Sequence, residues 1–182
     1  MINFRNYMND LEILYKRFLN RARDIREHLP TLKRLGEEVD HITKFGVRKG
    51  ASTSAWLMAK PKVLRCYDVE SNVKFRLETY EQFAKDNGID FAFTVANDLE
   101  IVIEPTELLF IDTSHQYKHT VRELELHGGK VSKYIVFHDT MNRYGRHVVP
   151  AIGNFLHETR SWLIKEHYSN NNGLTVLERG NW

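Results

Sequence analysis

The sequence predicts an α/β fold: a three-layer sandwich in which helices cover both faces of a seven-stranded, mostly parallel sheet with a C-terminal antiparallel hairpin strand. Three observations carry this. Apolar runs at 42–46, 63–67, 91–95, 107–111 and 134–138 have the length of buried strands. Helical patterns lie between them, at roughly 52–60, 72–87, 115–127 and 147–159, and strands alternating with helices build a parallel sheet. The end then changes character. Trp162–His167 and Leu174–Glu178 are joined by Ser169-Asn-Asn-Asn-Gly173, whose asparagines and glycine tolerate positive φ, so this stretch reads as a hairpin.

Ahead of the alternating region, apolar residues at Phe4, Tyr7, Met8, Leu11, Leu14, Tyr15, Phe18, Leu19, Ala22 and Ile25 form a helical stripe over 3–27, punctuated by Pro30. Packing on the flank of the domain is the simplest use of that stripe; a dimer contact or a cover over a pocket stays open beside it. At 182 residues, 42% hydrophobic and 27% charged, the chain is expected to be one globular domain with a real core. A net charge of +2 is too small to argue for nucleic acid. The single cysteine, Cys66, lies in an apolar run and reads as a core thiol of a reducing compartment. No run approaches the ~18 apolar residues of a membrane span. Arg5, Asp10, Glu12, Lys16 and Arg17 interrupt any signal-peptide core, so a cytoplasmic protein is expected.

The first strand ends in Phe45-Gly46-Val47-Arg48-Lys49-Gly50-Ala51-Ser52-Thr53. Two glycines close a tight turn before a helix N-terminus, and Asp68 follows at the end of the next apolar run, where a carboxylate suits ribose hydroxyls. The spacing is not Gly-x-Gly-x-x-Gly, which weakens a nicotinamide reading, and no Gly-Lys-Ser/Thr follows, so this is no P-loop. Ser52 or Thr53 also suits a helix cap.

The other notable polar residues fall at the same edge of the sheet. Asp98 lies just past the third strand, Asp112 ends the fourth, and His138-Asp139 end the fifth. His115 is expected in the first turn of the next helix, poised as a general base, although Asp112 or Thr113 also reads as an N-cap. His115 and His119 have the i, i+4 spacing of a metal pair, but no glutamate accompanies them and Lys118 adjoins. Asp112, His138 and Asp139 form the better set: oxygen ligands suit Mg²⁺ or Mn²⁺, and an imidazole tilts the choice toward Mn²⁺, Fe²⁺ or Zn²⁺. A metal-free role, bonding substrate or loop backbone, stays open for His138 and Asp139. Gly128-Gly129 reads as a helix end, and Asn142–His147 as a polar loop suited to a substrate lid or to solvent.

Together, Phe45–Thr53, Tyr67-Asp68, Phe110–His115, Ile135–Thr140, Pro150-Ala-Ile and Asn172–Leu177 resemble class I S-adenosylmethionine-dependent methyltransferases, which have a Rossmann-like fold. The likeness is to the cephalosporin-hydroxylase-like and macrolide-sugar O-methyltransferase group, including short phage and environmental members. It covers roughly 39–179. The apolar stripe sets off an N-terminal helix over 1–29, which the resemblance does not cover, and the resemblance implies a cofactor-binding domain over 30–182.

The resemblance further implies that Phe45, Gly46, Val47, Arg48, Gly50, Ser52 and Thr53 wrap the methionine part of S-adenosylmethionine. Asp68 would take the ribose, and Asp98 and Asp112 would lie along the cofactor. In metal-dependent relatives Asp112 matches both a catalytic-site residue and a metal ligand, His115 the base, and His138 and Asp139 further ligands of a divalent metal (Mg or Mn). The implied acceptor is a hydroxyl on a sugar or other small molecule. The sequence departs from the pattern at Lys44, where relatives carry an acid, and at His138, also an acid there. Lys44 would pair with Asp112 or point outward. The alternatives are a non-catalytic S-adenosylmethionine-binding protein, favoured by Lys44; a nucleic-acid methyltransferase, disfavoured for want of an Asn/Asp-Pro-Pro-Tyr/Phe element; and a nicotinamide oxidoreductase.

Overall fold

The computed structural model describes residues 5–70 and 74–180. Its strands are β1 His41–Phe45, β2 Val63–Asp68, β3 Asp90–Val95, β4 Thr106–Ile111, β5 Val131–His138, β6 Trp162–Tyr168 and β7 Leu174–Arg179. They form one sheet in the order β3-β2-β1-β4-β5-β7-β6. The first five strands pair in parallel. The hairpin is present, and it places β7 between β5 and β6, antiparallel to both. Asn171, Asn172 and Gly173 all have positive φ in its turn.

Strand residues alternate between two cores because successive side chains leave opposite faces of a sheet. Leu108, Phe110 and Val136 join one core, with α1 Arg5–Arg21, α2 Leu29–Gly36, α3 Ala51–Ala59 and α4 Lys74–Asp86. Leu109, Ile111, Ile135 and Phe137 join the other, with α5 Tyr117–His127 and α6 Asn142–Thr159. Each such side chain contributes roughly 1.5–3 kcal/mol by leaving water. The central runs are mostly apolar because both of their faces are covered, whereas edge strand β3 is partly exposed.

Three expectations about helices are corrected. The long N-terminal helix stops at Arg21 (residues 3–4 lie outside the described residues); a turn and a 3-10 turn at Arg26–His28 follow, and then α2 begins. Pro30 lies in the first turn of α2, where a missing N–H leaves no bond unmade, so it opens a helix instead of stopping one. Leu29, Leu32 and Leu35 bury that helix. α1 itself inserts Leu11, Tyr15 and Phe18 into the first core.

The helix after β4 begins at Tyr117, leaving His115 in the preceding loop at φ 53°. Asn142–His147 is no loop: it forms the first turns of α6, polar because Asn142, Arg143 and Tyr144 face a cleft. Gly145 belongs to that helix because a Cβ there would lie 2.4 Å from the Thr140 carbonyl oxygen. Gly128-Gly129 does end α5, as expected. Among the described residues, no helix is long and apolar enough to cross a membrane.

Candidate active site

Strand order reverses between β1 and β4, and a crevice outside the carboxyl ends of the strands forms at such a point. Here it is a cleft of about 1030 Å³. Gly46, Arg48, Asp68, Asp98, Asp112, His115 and Asp139 line it, so seven of the residues singled out in the sequence share one cavity.

Gly46 sets the floor. It has φ 77°, and a Cβ there would lie 1.9 Å from the Asp112 carbonyl oxygen, so no other residue lets β1 and β4 end this close together. Asp112 N–H in turn donates to Phe45 O at 3.2 Å. Gly50, at φ 81°, is the N-cap of α3. The capping role open to Ser52 or Thr53 is therefore filled by backbone, and both side chains are buried inside the first turns of the helix.

Phe45, Val47, Gly50, Ser52 and Thr53 do not line the main cleft. Val47 and Ser52 instead line an adjoining cavity of about 460 Å³, together with Phe18 and Arg21 of α1. Asp24, Arg48 and Asp112 border both spaces.

Asp68 braces the glycine turn. Its Oδ2 accepts the N–H groups of Val47 at 2.6 Å and Arg48 at 2.8 Å, and Oδ1 accepts that of Glu70 at 3.0 Å. The carboxylate expected to meet a ribose is thus first a structural acceptor, with Oδ1 the less engaged oxygen. Lys44 is fully buried, and its Nζ donates to the Gly46 carbonyl and stands 4.9 Å from the centre of the Phe110 ring. It neither points outward nor hydrogen-bonds Asp112. Burial lowers its pKa, against the opposing pull of Asp112.

β4 and β5 bring Asp112, His115, His138 and Asp139 together. His115 Nε2 lies 2.7 Å from Asp139 Oδ2 and 3.4 Å from Asp112 Oδ1. His138 Nδ1 lies 3.2 Å from Asp139 Oδ2 and 3.4 Å from Asp112 Oδ1. His138 Nε2 donates to the carbonyls of Asp24 at 2.9 Å and Asn171 at 3.2 Å. Burial opposes charge on both rings, yet the two carboxylates prevail, lifting His115 to about 9 and His138 to about 10. Burial likewise opposes the Asp139 carboxylate, but its histidine neighbours hold it down at about 2.

A cation fits this corner. One donor atom each from Asp112, His138 and Asp139 lies within 4.8 Å of the others. Asp139 Oδ1 is buried without a hydrogen-bond partner among the described residues. The Nε2–H bonds of His138 also fix the tautomer that leaves Nδ1 free for a metal. The two carboxylates therefore admit either protonated histidines or a metal with neutral ones.

His115 and His119 do not form a pair. His119 turns to Asp98, with Nε2 2.8 Å from Oδ2, and lies 3.7 Å from Glu123 Oε1. Glu123 is a site residue that sequence reading missed; its i, i+4 spacing from His119 was the available signal. Tyr144, part of the stretch read as a polar loop, packs its ring 4.7 Å from that of His115.

No protein-family model and no curated protein matches this sequence. Solved structures do resemble the fold. A methyltransferase from Geobacter sulfurreducens superposes with a TM-score of 0.65 at 14% identity, over 97% of this chain and 89% of its own. An O-methyltransferase from Bacillus cereus, in complex with SAH, gives 0.64 at 12% identity, over 96% and 90%. A ribosomal-protein methylase from Lactobacillus delbrueckii subsp. bulgaricus gives 0.58 at 16% identity, over 85% and 79%. At these identities the likeness establishes the fold, a Rossmann-like α/β sandwich.

Proposed function

We propose that this protein is an S-adenosylmethionine-dependent methyltransferase acting on a hydroxyl of a small molecule, a sugar or another polyhydroxylated compound. The observation that carries the reading is the meeting, in one cleft, of the Gly46 turn with Asp112, His115 and Asp139, backed by buried His138, which borders the adjoining cavity. The methyltransferase folds and the complex with SAH support it. When bound, the sulfonium supplies a methyl carbon for in-line attack by the acceptor oxygen and leaves as SAH.

In this reading Gly46 and Arg48 shape the wall for the methionine part, with Val47 and Ser52 facing the adjoining cavity. Phe45, Gly50 and Thr53 support that wall from beneath. Asp68 Oδ1 faces the ribose, and Asp98 the base. His115 is the general base. Its Nε2 faces two carboxylates and keeps its proton there, so Nδ1 is the atom that takes the proton from the acceptor hydroxyl. Asp139 orients the ring, as the carboxylate does in a hydrolytic triad.

A base with a pKa near 9 is mostly protonated at neutral pH. Asp112, His138 and Asp139 would hold a divalent metal, Mn²⁺ before Mg²⁺ because one donor is an imidazole. When bound, such an ion supplies charge against both carboxylates, which releases His115 as a neutral base, and it lowers the pKa of the acceptor hydroxyl.

Calorimetric titration with S-adenosylmethionine, followed by a screen of sugars, polyols and catechols for SAH release with and without Mn²⁺, tests the reading. Absence of binding would sink it. Binding without transfer to any acceptor would select the second reading, a non-catalytic cofactor-binding protein, which buried Lys44 favours by removing the acid expected beside the methionine amine.

A further inference from the structure

We propose that Asp98, His119 and Glu123 form a second divalent-cation site, of the Mn²⁺ or Zn²⁺ class, opening onto the cleft. It shares no residue with the Asp112, His138 and Asp139 set, although its Asp98 is the carboxylate that the proposed function sets beside the base of the cofactor, and its test does not depend on methyl transfer.

The geometry comes from three places in the fold. His119 and Glu123 project from the same face of α5, one turn apart, and Asp98 follows β3. One donor atom from each lies within 4.8 Å of the others. The ligands are held from behind. Thr113 Oγ1 donates to Glu123 Oε1 at 2.7 Å, and His127 Nε2 donates to the Asp98 carbonyl at 2.8 Å. Such outer bonds orient metal ligands.

The feature pointing to an occupant is Glu123 Oε2. Glu123 is 0% exposed, and this oxygen has no hydrogen-bond partner among the described residues. A buried carboxylate oxygen left unsatisfied is costly, and here its neighbours are a second carboxylate and an imidazole. A cation answers all three donors at once. One imidazole with two carboxylates suits Mn²⁺ or Zn²⁺ better than Ca²⁺ or Mg²⁺. Asp98, Thr113 and His119 line the cleft, so the remaining coordination positions face water or whatever the cleft binds. The competing occupant is a single proton held between Glu123 and Asp98; burial and the Asp98 charge both push the Glu123 carboxyl pKa upward.

Counting ions separates the two. The full chain, stripped by chelation, is titrated with MnCl₂ while free Mn²⁺ is followed by electron paramagnetic resonance. The site predicts that Asp112→Asn/Asp139→Asn keeps one ion. Glu123→Gln, which preserves volume and the acceptor for Thr113, loses an ion or weakens it more than tenfold relative to the unaltered chain. His119→Gln, a partly exposed position, does the same and serves if Glu123→Gln fails to fold. Anomalous diffraction from Mn²⁺-soaked crystals places the ion. Equal ion counts in the unaltered chain, Glu123→Gln and His119→Gln overturn the proposal, and the proton then explains the pair. Neither outcome reads methyl transfer, so the proposed reaction stands or falls separately.

Discussion

His115 and Asp139, 24 residues apart, meet with Nε2 2.7 Å from Oδ2, and each stands in the left-handed backbone region, at φ 53° and 57°. Neither is glycine. Such a backbone costs of order 1–3 kcal/mol per residue and persists only where surrounding structure enforces it. Both residues lie just past the carboxyl end of a strand, and the left-handed bend turns each side chain into the cleft rather than onward along the chain. The surrounding structure thus holds the pair in a strained backbone at the place where the proposed proton transfer occurs.

Replacing the base tests that transfer most directly. His115→Ala is expected to lower kcat by roughly 10²–10⁴-fold while cofactor affinity, measured by calorimetry, changes little. The ring packs on Tyr144 and lies against the carboxylates of Asp112 and Asp139. Unchanged turnover would remove His115 from the chemistry.

The pH profile follows from the same charges. Without added divalent ion, the rate should rise as His115 loses its proton, with an apparent pKa near 9. Mn²⁺ should move that limb toward neutrality. A limb unmoved by Mn²⁺ would argue against a metal at Asp112 and Asp139. Stability runs the other way. His115 and His138 have folded values of about 9 and about 10, above their ordinary 6.5. Their contribution is complete below pH 6.5 and is lost as pH rises through 9 and 10. Asp139, held at about 2 from 3.8, contributes above pH 3.8 and loses that contribution as pH falls toward 2. Tm measured from pH 2 to 10 should therefore decline at both ends, and Asp139→Asn should flatten the alkaline decline.

Asp68 offers a test of bracing against binding. Asp68→Ala removes the acceptor for two backbone N–H groups of the Gly46 turn and for that of Glu70. Bonds to a charged acceptor contribute roughly 1.5–3 kcal/mol each in favourable settings, and these are partly exposed to solvent. A drop in Tm with loss of cofactor binding is expected, whereas Asp68→Asn, which keeps an acceptor oxygen, should recover more of the stability than of the affinity. Equal Tm for Asp68→Ala and the unaltered chain would reduce Asp68 to a ligand contact.

The sheet was legible because both faces of its centre are covered, so the parallel strands read as predominantly apolar runs bounded by turns, and strand ends located the cleft. Helix starts were less legible. Pro30 marks a stop or a first turn equally well, and nothing local separates them. His115 looked helical because Tyr117, Thr120 and Leu124 follow at helical spacing; the left-handed bend before them leaves no mark on a non-glycine residue. Asp68 read as a ligand residue because sequence shows a carboxylate but not the N–H groups that reach it across the turn. Glu123, one turn past His119, did not stand out because the spacing weighed there was that of His115 and His119. Asp98 arrives from another element, a contact that a linear pattern on α5 cannot express.

Lys44 is the departure with the clearest energetic consequence. Its side chain is fully buried against the Phe110 ring, and among the described residues its amine donates to the Gly46 carbonyl alone. A buried ammonium must recover a large desolvation cost, and a well-packed apolar side chain of similar volume often does as well or better. Lys44→Met should therefore leave stability within about 1 kcal/mol of the unaltered chain or raise it, while Lys44→Ala, which opens a cavity in the same place, should lose about 2–5 kcal/mol. Chemical denaturation of the two variants checks both. A Lys44→Met loss as large as that of Lys44→Ala would show that the charge, through its field on Asp112, holds the carboxylate cluster together, and the packing account of Lys44 would fail.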